Sequence, residues 1–134
     1  MRYATALLVV VVVTGLASSG FGHPPSDVTA HFDTGISMLT VTVMHTVNDA
    51  NKHYVDEIEV ELNGKKVIEQ KFARQIDTNT QEAIYRIIDA APGDKIKVTA
   101  ACNISGKQRV EITVEEPEEE KQAGSEEKQG EIED

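Results

Sequence analysis

Residues 37–45 read Ser37-Met38-Leu39-Thr40-Val41-Thr42-Val43-Met44-His45. Leu39, Val41 and Val43 alternate with Thr40, Thr42 and Met44, and a period of two with one apolar side marks a half-buried β-strand. The same alternation recurs downstream. Ile58, Val60 and Leu62 alternate with Glu57, Glu59 and Glu61, and Ile96, Val98 and Ala100 alternate with Lys95, Lys97 and Thr99. Working outward from these three, the pattern predicts strands near Asp27–Phe32, Ser37–His45, Tyr54–Leu62, Lys65–Phe72, Gln81–Ile88, Lys95–Cys102 and Gln108–Val114. Turn chemistry separates them. Asn63-Gly64 predicts a two-residue hairpin, whose type I′ turn needs positive φ at both positions. Pro92-Gly93-Asp94 and Ser105-Gly106-Lys107 are further turn clusters, and 73–80 is a polar loop. No segment sustains a helical period. About seven short strands in roughly 90 residues predict an all-β, antiparallel sandwich.

The flanks have a different composition. Residues 1–22 have the order of a secretory signal: Arg2, then the apolar run from Ala6 to Val13, then candidate cleavage sites at Ala17-Ser18-Ser19 or Gly20-Phe21-Gly22. The apolar run is short of the ~20 residues that a membrane span needs. The expectation is an exported chain, periplasmic or extracellular, with no stable membrane insertion after cleavage. Residues 115–134 hold ten acidic side chains against Lys121 and Lys128, most of the net charge of −10. Such a segment buries too little apolar surface to offset its ordering entropy, and it reads as a disordered tail. What remains, 23–114, is one domain with one modest core. The acidic balance argues against nucleic acid as a partner.

Four histidines and one cysteine are the candidates for chemistry. His45 closes the inward row Leu39, Val41, Val43, at the rim of the core. Cys102 closes the row Ile96, Val98, Ala100 in the same way. His53 follows His45 by eight residues, and a connection that short folds its ends toward each other. Two imidazoles and a thiol at one end of the sandwich form a candidate metal site, since imidazole suits iron, copper and zinc and thiolate suits soft metals. The alternative reading is a packed histidine and a buried cysteine acting as a small hydrophobe. With a single cysteine, an internal disulfide is excluded. Glycine-rich phosphate loops, serine-nucleophile elbows and C-x-x-C pairs are missing from the sequence.

The segment His53-Tyr54-Val55-Asp56-Glu57-Ile58-Glu59-Val60, followed by Asn63-Gly64, resembles the H-H-I-x-W-I-E-L strand of the superoxide reductases, including neelaredoxin and the iron domain of desulfoferrodoxin. Ala100-Ala101-Cys102-Asn103-Ile104-Ser105-Gly106 resembles their C-N-x-H-G loop. His45 stands where the family has the histidine of its H-P pair, and His23 lies at about the spacing of its first histidine. The resemblance implies an immunoglobulin-like sandwich holding one iron with four equatorial histidines and an axial thiolate. On that basis Cys102 would be the axial ligand, and His45, His53 and His23 would be equatorial ligands. It further implies one-electron reduction of superoxide or another small oxidant, fed by an electron donor that the sequence does not identify. Ser105 occupies the place of the fourth histidine, Thr46 replaces the proline, and the loop from His45 to His53 is longer than the family pattern. A reduced ligand set brings copper or zinc into contention beside iron. Another outcome is a sandwich that has lost the metal and serves as a non-catalytic binding or accessory module.

Overall fold

The computed structural model describes residues 22–118. The signal-like residues 1–21 and most of the acidic segment, 119–134, lie outside the described residues. The strands are β1 (Asp27–Asp33), β2 (Met38–Met44), β3 (Val55–Leu62), β4 (Lys65–Lys71), β5 (Thr80–Arg86), β6 (Lys95–Cys102) and β7 (Lys107–Thr113). They form two antiparallel sheets, β1-β2-β5 and β4-β3-β6-β7. The chain crosses between the sheets after β2, after β4 and after β5, as it does in immunoglobulin-like sandwiches.

The alternation read in the sequence is the alternation of burial. Leu39, Val41 and Val43 of β2, Ile58 and Val60 of β3, and Ile96, Val98 and Ala100 of β6 are fully buried and form the core with Val28, Phe32, Val55, Ile87 and Val114. Between them, the outward row of β3 carries glutamates that meet lysines on its neighbours. Glu57 is paired with Lys71, Glu59 with Lys66 at 2.6 Å, and Glu61 with Lys97. These are register partners or near-partners across the ladder. Exposed pairs of this kind contribute about 0–1 kcal/mol each, so the inward rows decide the fold.

The hairpin between β3 and β4 has the expected geometry, with φ of 51° at Asn63 and 83° at Gly64. Asn63 also ties this hairpin to the turn before β6, accepting from the Lys95 amide and donating to Asp94. At one end of the sandwich, β6 finishes on Cys102 and β2 runs directly into His45. The inward rows of the two sheets therefore end there on a ring nitrogen and a sulfur rather than on hydrocarbon.

Candidate metal centre

His45 is the first residue after β2 and still points inward, with no exposure to solvent. Its amide donates to the Asn79 carbonyl at 2.8 Å, which extends the β2–β5 pairing by one bond. His53 closes the loop between β2 and β3. That loop curls at its end, because the Lys52 and His53 amides both donate to the Asp49 carbonyl, at 3.1 and 3.0 Å. The Asp49 carboxylate accepts from the Asn51 amide, and this bond holds its pKa below the usual carboxylate range. His23 precedes β1 in the segment Gly22–Pro25. Three different stretches of chain thus bring one imidazole each to the same pole.

The three rings form a compact triangle. Centroids are 4.9 Å apart for His23 and His45, 4.8 Å for His23 and His53, and 4.7 Å for His45 and His53. One nitrogen from each lies within 4.8 Å of the other two. In a tetrahedral site with metal–nitrogen bonds of about 2.0–2.1 Å, ligating nitrogens stand roughly 3.3 Å apart. Small side-chain rotations close that difference. These three histidines can hold a metal ion; the arrangement does not by itself choose which metal.

The environment of His53 fits that use. Its Nε2 is buried and has no hydrogen-bond partner among the described residues. A buried polar atom without a partner costs about 1–3 kcal/mol. Burial lowers the pKa of His53, and the nearby imidazoles of His45 and His23 lower it further; the backbone of His23 acts weakly in the opposite sense. The ring is therefore biased toward its neutral form, the form that ligates.

Cys102 ends β6 opposite Val55 and is nearly buried. Its Sγ accepts from the Ile104 amide at 3.4 Å and lies 3.9 Å from Asn103 Oδ1. It is not one of the three mutually close donors, which are all imidazole nitrogens. The loop that follows it stitches the site together. Asn103 accepts from the Tyr54 amide at 2.9 Å and donates to the Lys52 carbonyl at 2.9 Å, so it grips both neighbours of His53. Ser105 Oγ donates to the Gly22 carbonyl at 3.0 Å, next to His23. Gly106 has φ of 87°, and its Cα lies against Pro24. Residues 103–106 thus anchor the segments that carry His53 and His23, and in this structure the Ser105 hydroxyl serves as an anchor.

Two buried amides near this pole carry no mark in the sequence. Gln75, in the polar loop before β5, bonds the His45 ring Nδ1 at 2.9 Å. Gln81 accepts from the Ile76 amide at 3.0 Å and fixes the same loop. The composition of 73–80 shows only a polar connection; what singles out these two glutamines is burial. The remaining histidine, His31, is exposed on β1 across from Thr40 and takes no part in the cluster.

Comparison with protein-family models finds no match, and comparison with curated protein sequences finds none either.

Proposed function

We propose that this chain is an exported protein that holds a single transition-metal ion at His23, His45 and His53, and that its chemistry is of the superoxide reductase type. The observation that carries the reading is the triangle of three imidazoles, one of which has a buried, unpartnered nitrogen, His53 Nε2. Supporting it are the family-like segments from His53 and from Cys102, whose loop is bonded to the flanks of two of the three histidines. The donor set fits a mononuclear site of borderline metals: iron first on resemblance, with zinc and copper suited to the same imidazoles.

The residues would divide the work as follows. His45 and His53 supply donors from the rim of the core, and burial biases His53 toward its neutral form. His23 supplies the exposed side of the site, where a small oxidant arrives. Cys102 lies beside this pole with the Ile104 amide donating to its sulfur, and would offer a soft donor to a metal held there. Ferrous iron bound here would supply one electron to superoxide, which with two protons gives hydrogen peroxide, and an external donor must restore that electron.

Ser105 in place of a fourth histidine favours a second reading, a site that binds metal without turning over. The two are separated by one experiment. The purified protein is loaded with iron under anaerobic conditions, and superoxide consumption is followed in the presence of an artificial electron donor. The redox reading expects consumption that is catalytic in protein and lost in His53→Ala. Retention of one metal per chain with no consumption supports a holding role. Failure to retain iron, zinc or copper removes both metal readings and favours a non-catalytic accessory module.

A further inference from the structure

The side chain of Gln75 is 2% exposed and makes hydrogen bonds at both ends of its amide. Its Nε2 donates to the His45 carbonyl at 2.7 Å and to the Asp77 carbonyl at 3.0 Å. Its Oε1 accepts from the Val55 amide at 3.2 Å. These backbone groups settle which end is which. A carbonyl can only accept and an amide N–H can only donate, so a flipped side chain would lose all three bonds. Oε1 is therefore an acceptor, and it lies 2.9 Å from His45 Nδ1. That contact is a hydrogen bond only if Nδ1 carries the proton.

We propose that Gln75 is a positioning residue that fixes His45 as the Nδ1–H tautomer and so leaves its Nε2 without a proton, within reach of a metal shared with the other two imidazoles. The inference rests on the metal-site reading for its purpose and on backbone geometry for its content. A neutral imidazole has one donor and one acceptor nitrogen, and the bond made by one decides what the other can do. Metal-ligating histidines commonly donate their second ring nitrogen to an acceptor held by the protein, which also fixes ring orientation. Here the acceptor is a side-chain amide, itself locked by three backbone groups from β3 and the two loops beside it. The backbone N–H of Gln75 adds a further tie, to the Ala50 carbonyl at 3.0 Å, in the loop that carries His53. On the far side of the ring, the His23 carbonyl lies 3.1 Å from His45 Nε2. Both neighbours are acceptors and a neutral ring has one proton, so the shorter, buried contact to the locked Gln75 Oε1 is assigned as the hydrogen bond, and the His23 carbonyl then faces a bare Nε2.

The tautomer can be read directly. Long-range proton–nitrogen correlation on metal-free, nitrogen-15-labelled protein at about pH 8, above the ordinary imidazole pKa, distinguishes the two ring nitrogens. The expected spectrum shows His45 with protonated Nδ1 and bare Nε2. A bare Nδ1 with protonated Nε2 would overturn the inference. Gln75→Met, close in volume and without an acceptor, is then titrated with zinc against a competing chelator. The expected result is binding weaker by about 10–100-fold, together with loss of the single His45 tautomer. A folded Gln75→Met with unchanged zinc affinity and tautomer would also overturn it. The wild-type spectrum decides the point even if that variant does not fold. The expected tautomer in a wild-type protein that binds no zinc would remove the metal-site reading and leave the tautomer lock standing.

Discussion

His53 refuses a proton because its ring is buried and two imidazoles crowd it. In the metal-free protein its folded pKa lies below the ordinary value of 6.5, which the unfolded chain retains. Between those two values the unfolded chain binds a proton that the native site does not, so stability falls as pH drops through that interval. Below the folded pKa, His53 contributes no further slope. Urea midpoints of metal-free protein, measured from about pH 8 downward, should therefore decrease once the pH passes 6.5. A smaller decrease in His53→Gln would assign the effect, and an equal decrease would refute the assignment. With metal present, His53→Ala removes a ligand. Its zinc affinity should fall by more than the roughly 10–100-fold typical of groups outside the ligand shell, as read by chelator competition. The lone-pair bias of His53 had no signature in the sequence, because it arises from neighbours far along the chain.

The strands were legible because period-two alternation reports burial directly. Expected and observed ends of all seven agree within two residues. The largest difference is at β5, where Ile87 and Ile88 prolong the apolar pattern past the last paired residue, Arg86. Ile87 is buried in the core with its amide bonded to the Ser37 carbonyl at 3.0 Å, just past the last paired residues, while Ile88 is largely exposed, so the apolar run outlasts the strand. Turns were legible where glycine and asparagine demand positive φ; Ser37, at φ of 55°, gave no such sign. Two glycines make predictions at this scale. A Cβ at Gly64 would meet nothing within 4 Å, so Gly64→Ala should cost only the left-handed strain, about 1–2 kcal/mol by urea denaturation. Gly106→Ala adds a collision, since its Cβ would stand 2.7 Å from Pro24 Cβ. It should displace the segment bearing His23, lowering zinc affinity as well as stability. Gly64→Ala should leave zinc affinity unchanged, and equal zinc affinity in both variants would contradict the proposed role of the 103–106 loop.

At the scale of the molecule, a sandwich of this size with no disulfide depends on one apolar core. Leu39 is fully buried in it. Leu39→Ala should cost about 2–5 kcal/mol, a large part of the 5–15 kcal/mol typical of such domains. A metal that binds only the folded form should recover some of that loss, about 2.7 kcal/mol at a concentration 100 times the dissociation constant. The approach of His45 and His53 at one pole followed from the inward row that ends on His45 and the short span between the two. The detailed composition of the site did not. Gln75 comes from a loop with no pattern, and Asn103 acts on backbone atoms that no motif displays. The central claim is that one ion is bound by three imidazoles. X-ray absorption fine structure on zinc-loaded protein tests it most directly. The account predicts one zinc per chain, with outer-shell scattering from the rings of three histidines. A zinc surrounded only by oxygen scatterers, or with imidazole scattering unchanged in a His45→Ala, His53→Ala double variant, would contradict it.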